Sequence, residues 1–198
     1  MKFDWVLFDA DHTLFDFDRS AAESLADTMR NHGLDHRDEH WTLYNSINKE
    51  CWNAYENGQM DRETMRLTRF TRFFEQIGAS ISDLETFASQ YLAGLPCRPY
   101  FIDGAMDILT ALHGRIKLGM ITNGLAEVQR PRLTATGIDK MFEVIVVSGE
   151  IGMMKPDYLF FDHTHALMAH PDKSRVVVVG DSLNADMKGG KEFGYMTC

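Results

Sequence analysis

Four short stretches of the chain are apolar without alternation: residues 3–9, 116–121, 142–147 and 176–179. Runs of that length, rich in β-branched and aromatic members, suit strands covered on both faces. Before, between and after the last three, apolar residues recur at helical spacing over 103–112, 125–136, 157–168 and 184–193. Strand and helix therefore alternate, which predicts parallel βαβ units and an α/β sheet with helices on both sides. Pro131 is expected to kink or restart its helix, and Gly189-Gly190 to break theirs. The chain ends at Cys198, about where a further strand should begin, so a C-terminal truncation is expected.

From Asp18 to Leu95 the rhythm is helical only. Ser20-Ala21-Ala22-Glu23 reads as a capping box opening a helix that stops before Gly33. A second helix is predicted over 38–56. Asp61 caps a third, carrying Met65, Phe70, Phe73, Phe74 and Ile77 and stopped by Gly78. Ser82-Asp83-Leu84-Glu85 opens a fourth. The result is a small bundle. It closes at Leu95-Pro96-Cys97-Arg98-Pro99-Tyr100, where two prolines cannot continue a helix. The predicted organisation is a discontinuous α/β core, 1–16 and 98–198, with a helical bundle inserted over 17–97. Two crossings between the parts suit a hinge-closing lid.

Composition changes the picture little. The 198 residues are 44% hydrophobic and 25% charged, ordinary for a globular protein. A net charge of −9 without a basic stripe argues against binding of a nucleic-acid polymer, while a small anion can still find a local site. Cys51, Cys97 and Cys198 show no metal spacing and read as reduced thiols. With no signal peptide and no membrane-length apolar run, a cytoplasmic protein is expected. His163 and His165 are two apart on a helix and do not share a face, so no zinc site is expected there.

The strand ends carry the chemistry. The first run stops at Asp9, and Asp11 follows on the same side of an extended chain. The ordinary alternative is that both are turn formers or caps. Against it stand the other strand ends: Thr122-Asn123-Gly124 after the second, and Gly180-Asp181 after the fourth. In open α/β sheets, ligands bind beyond the carboxyl ends of strands. Carboxylates that converge there need a cation, and an oxygen-only donor set suits Mg²⁺. Asp9 is the candidate nucleophile, since carboxylates form aspartyl phosphates. Asp181 could complete a Mg²⁺ site with Asp9, and Asp186 could reach back to a metal-bound water or simply favour a helix start. Lys155, before Pro156, would supply a fixed positive charge. Thr122 could donate to a phosphate oxygen, and Asn123 and Gly124 could offer backbone N–H groups.

Asp9-x-Asp11-x-Thr13, Thr122-Asn123-Gly124, Lys155-Pro156 and Gly180-Asp181-(x)4-Asp186 resemble the ordered motifs of the haloacid dehalogenase (HAD) superfamily, over residues 3–194. The inserted bundle is similar to its C1-type helical cap, and the implied core is Rossmann-like. Asp4-Trp5, Phe8-Asp9-Ala10-Asp11-x-Thr13-Leu14-Phe15, Ile121-Thr122-Asn123-Gly124 and Gly149-Glu150-Ile151-Gly152 are similar to the YjjG-type pyrimidine 5′-nucleotidases. The resemblance implies a Mg²⁺-dependent phosphomonoester hydrolase. Asp9 would attack phosphorus. Asp11 would protonate the leaving group, then activate water, while its carbonyl binds the metal. Thr122, Asn123, Gly124 and Lys155 would hold the phosphoryl group, and Asp181 and Asp186 would bind or anchor the metal. A carboxylate at Asp11 favours ester hydrolysis over dehalogenation.

Other readings compete. A phosphatase for a sugar phosphate or phosphoglycolate shares the chemistry. Trp52, Tyr55 and Phe17 could stack a nucleotide base, although aromatics at helical spacing more often form bundle core. A receiver-like signalling module also gathers acids, a Thr and a Lys around Mg²⁺, but it needs an Asp after its third strand, where this chain has Ser148. A catalytically dead binding protein would not need all of Asp9, Asp11, Lys155 and Asp181.

Overall fold

The computed structural model describes residues 2–198. The chain separates into two compact units: residues up to Ser20 with Pro96–Cys198, and Ala21–Leu95.

The first unit is built on five parallel strands: β1 (Trp5–Phe8), β2 (Lys117–Thr122), β3 (Val144–Val147), β4 (Val176–Val179) and β5 (Met196–Thr197), in the order β3-β2-β1-β4-β5. Phe8 pairs with Met120 on one side and Val179 on the other. All of β1 is buried, and its alternate side chains face different cores. Val6 and Phe8 pack with Leu118, Met120 and Leu133. Trp5 and Leu7 pack with Val178, Phe160 and Phe161. This is why the run lacks a polar face. Chain order reverses between β1 and β4, so the crevice of this doubly wound sheet opens at their carboxyl ends.

Nine α-helices occur among the described residues. Four lie between β1 and β2 before the last connection: α1 (Phe17–Asn31), α2 (Asp38–Glu56), α3 (Arg62–Ile77) and α4 (Leu84–Gly94). After them come α5 (Ala105–Leu112), α6 (Ala126–Thr136), α7 (Ser148–Ile151), α8 (Tyr158–Leu167) and α9 (Gly189–Phe193). The Leu95–Cys97 segment is a single 3₁₀ turn. In the second unit the helices close around Tyr44, Phe70, Phe73, Phe87 and Tyr91, all fully buried.

Several expectations need correction. The first helix begins at Phe17, capped by Asp16, whose Oδ1 accepts from Arg19 N at 3.0 Å. Ser20 Oγ donates instead to Arg98 O at 2.6 Å. Asp83, not Ser82, caps α4 by accepting from Thr86 N. In both places the cap is an Asp, whose short side chain reaches the free N–H groups of the first turn. Pro131 sits inside α6 without ending it. Gly189 and Gly190 open α9 directly after a π-helical turn, Leu183–Lys188, so the chain does not break there. The loop expected after β3 contains α7. A fifth strand, only two residues long, already pairs with β4 before the chain ends. Among the described residues no helix is long and apolar enough to cross a membrane.

Candidate active site

β1 delivers Asp9 to the crevice. Its N–H donates to Val179 O at 2.9 Å, which fixes the residue one step beyond the paired strand. The next turn carries Asp11 and Thr13, with His12 between them in the left-handed region at φ 62°. β2 ends at Thr122, which is buried, and its Oγ1 accepts from Gly124 N at 3.0 Å. That bond leaves the hydroxyl proton of Thr122 for another acceptor.

Lys155 arrives from the loop after α7 and is 1% exposed. Its ammonium donates to Asp9 Oδ1 at 2.6 Å, Asp186 Oδ1 at 2.6 Å and Ile121 O at 2.9 Å. All three ammonium protons are thereby used. The backbone of Lys155 is bracketed by one side chain: Asn123 Oδ1 accepts from Lys155 N at 2.8 Å, and Asn123 Nδ2 donates to Lys155 O at 2.9 Å. Ser148 Oγ donates to Asn123 O at 2.9 Å. Asn123 and Gly124 therefore spend these bonds on Lys155 and Thr122. They also precede the first turn of α6, whose N-cap is Leu125.

Beyond β4 the π-helical turn rotates Asp186 inward, where it is buried. Its Oδ2 accepts from Ser182 N at 3.1 Å. A Cβ on Gly180 would lie 2.4 Å from Asp186 Cγ, so glycine is what lets this carboxylate come so close. Asp181 stands exposed at the rim. Asp9, Asp181 and Asp186 each offer an oxygen, and these lie within 4.8 Å of one another. Among the described residues no other such group of His, Cys, Asp or Glu occurs. Three carboxylates face one ammonium, so the set keeps excess negative charge and fits a hard divalent cation such as Mg²⁺.

The charges are felt. Burial pushes the Asp9 carboxyl up to about 7, with Asp186 and Asp11 adding to the rise and Lys155 opposing it. Burial pulls Lys155 down, but Asp9 and Asp186 outweigh it and the ammonium ends above its ordinary value. Burial also raises Asp181, with nearby His12 working against it.

The Asp11 carboxylate is not one of the three clustered around the candidate metal position. Its oxygens accept from Gln129 Nε2 at 2.7 Å and Arg132 Nη2 at 2.6 Å. Neither donor was among the expected site residues. Their only trace in the sequence is that Gln129 and Arg132 share one helix face directly after Thr122-Asn123-Gly124. An open cleft of about 740 Å³ lies at the amino ends of the strands, lined by Trp5, Arg115, Lys117 and Glu143, and none of these site residues borders it.

The sequence profile described as "Haloacid dehalogenase-like hydrolase" matches residues 6–198. Pyrimidine 5′-nucleotidase YjjG of Escherichia coli (strain K12) is 34% identical over 198 residues, covering 100% of this chain and 86% of that protein. Pyrimidine 5′-nucleotidase PynA of Streptococcus pneumoniae is 31% identical, covering 100% and 83%. Among solved structures, the putative HAD-hydrolase YfnB from Bacillus subtilis, crystallised bound to magnesium, superposes with a TM-score of 0.93 at 30% identity, covering 100% of this chain and 88% of that one.

Proposed function

The chain belongs to the haloacid dehalogenase-like hydrolases, and we propose that it removes phosphate from pyrimidine nucleoside 5′-monophosphates through an aspartyl phosphate on Asp9. The observation that carries the chemistry is the convergence of Asp9, Lys155 and Asp186 at the carboxyl ends of β1 and β4, within 2.6 Å contacts. The substrate class rests on likeness to two pyrimidine 5′-nucleotidases along the whole chain.

Asp9 attacks phosphorus while the bond from phosphorus to the nucleoside oxygen breaks, and Asp11 gives that oxygen its proton. Water then attacks the same phosphorus, Asp11 takes the water's proton, and the bond to Asp9 breaks to release phosphate. Thr122 donates its hydroxyl to a phosphoryl oxygen. Lys155 offsets the charge of Asp9 and of the phosphoryl group. Asp9, Asp181 and Asp186 would hold Mg²⁺, with the Asp11 carbonyl as a further ligand, and the bound ion would supply charge neutralisation for the transferring group. Ser148 after β3 removes the signalling-module alternative, since no Asp stands there to be phosphorylated.

The test is phosphate release from a panel of nucleoside monophosphates, sugar phosphates and phosphoglycolate, with Mg²⁺ and with EDTA. Pyrimidine nucleotides are expected to show the highest kcat/KM, and EDTA to abolish release. A sugar phosphate that outruns every nucleotide overturns the substrate; no release from any ester overturns the chemistry.

A further inference from the structure

Gln129 and Arg132 hold Asp11 by both oxygens, at 2.7 Å and 2.6 Å, and Arg132 Nη2 also donates to Gln129 Oε1 at 2.6 Å. The three side chains form a closed triangle. Arg132 has no solvent exposure, and its guanidinium lies over the Phe15 ring at 4.0 Å. Asp11 is its salt-bridge partner, while Nε and Nη1 are buried without a hydrogen bond. A buried cation left so incompletely satisfied is costly to a fold. Gly124 makes room for the arrangement, because a Cβ there would lie 2.2 Å from Gln129 Nε2. Three residues of one segment are thus shaped around a single carboxylate that lies outside the metal-ligating set.

We propose that Gln129 and Arg132 are positioning residues that fix how the Asp11 carboxylate faces the reacting atoms, and so set the rate of both proton transfers. The proposal rests on the reading of Asp11 as acid and base. A carboxylate gripped at both oxygens cannot turn about its Cβ–Cγ bond, so its remaining lone pairs are aimed by α6 rather than by solvent. Freed of the grip, it would still be present but often misdirected. The proton sent to the leaving oxygen and the proton taken from water would both move more slowly. A leaving group that departs without a proton escapes the first penalty and meets only the second.

The experiment compares Gln129→Met, Arg132→Lys, Asp11→Asn and the control Arg130→Ala with wild type, using uridine 5′-monophosphate and p-nitrophenyl phosphate in Mg²⁺. Arg130 is on the same helix but exposed, paired with Glu150 at 2.7 Å. Gln129→Met and Arg132→Lys are expected to lower kcat for the nucleotide by about 10- to 100-fold with KM within about threefold. With p-nitrophenyl phosphate they should release a burst of nitrophenolate larger than that of wild type, because the second half becomes limiting. Arg130→Ala should stay within about twofold of wild type. Equal losses on both substrates without a burst, or no loss at all, overturn the proposal. Should Arg132→Lys not fold, Gln129→Met decides, since it removes one amide contact and keeps the volume. Asp11→Asn separates the two levels. If it turns over the nucleotide like wild type, the acid–base reading fails and the proposal with it. If it is inactive while Gln129→Met and Arg132→Lys are unimpaired, only the positioning role fails.

Discussion

Lys155 Nζ donates to Asp9 Oδ1 at 2.6 Å across 146 positions of sequence. The same ammonium holds Asp186, so one buried cation stands between two buried carboxylates. The ammonium opposes the rise that burial forces on Asp9, and the cation in turn could not be buried without its carboxylate partners.

Lys155→Met should therefore disable the site and weaken the fold together. Turnover is expected to fall by about 100-fold or more, as when one preorganised donor is removed. Without metal, denaturant unfolding should show a loss of about 3 kcal/mol near pH 8, shrinking toward pH 5 as the stranded Asp9 takes up a proton. A variant with wild-type stability at pH 8 would contradict the pairing.

Asp9, with its carboxyl pushed up to about 7, makes the metal-free protein sensitive to pH. Between the ordinary carboxylate range and about 7, the folded chain keeps a proton that the unfolded chain has lost. Folding then binds protons, and stability falls as pH rises through that window. Mg²⁺ takes the ionised form, so its affinity should climb with pH up to about 7, and binding at pH 6 should release protons. Titration calorimetry in two buffers of different ionisation enthalpy measures that release. Thermal melts of wild type against Asp9→Asn in EDTA isolate the Asp9 share of the stability slope, so the slope should be shallower in the variant.

Gly180→Ala is a small change with a large expected effect. The added methyl would lie 2.4 Å from Asp186 Cγ and must push the carboxylate off Lys155. Mg²⁺ affinity should drop by at least about tenfold while far-ultraviolet circular dichroism stays that of wild type. Unchanged affinity would mean that Asp186 takes no part in the metal set.

Much of this was legible in the sequence because it follows from burial. Strands with two covered faces must be apolar throughout, and Val176–Val179 shows it. Asp9 and Asp181 stood out because polar residues abruptly end such runs. The local signals were less decisive. Ser20 and Ser82 both satisfied a capping pattern, yet Asp16 and Asp83 took the helix ends. β5 is too short to announce itself, and the π-helical turn that aims Asp186 depends on tertiary packing. The grip of Gln129 and Arg132 on Asp11 joins residues 118 and 121 positions apart, and periodicity places donors on a face without naming the acceptor they reach. Asn123 was expected only for its backbone N–H, and nothing in the sequence pointed to its side chain bracketing Lys155.

The most direct measurement of the central claim is a rapid acid quench during turnover of a pyrimidine nucleoside monophosphate, followed by mass spectrometry of the peptide that carries Asp9. With Mg²⁺, wild type should show a phosphoryl group on Asp9 that forms and decays at rates consistent with turnover. Asp9→Asn should show neither the modification nor phosphate release. Phosphate release that proceeds in Asp9→Asn, or turnover in wild type with no phosphoryl group at Asp9, would contradict the account.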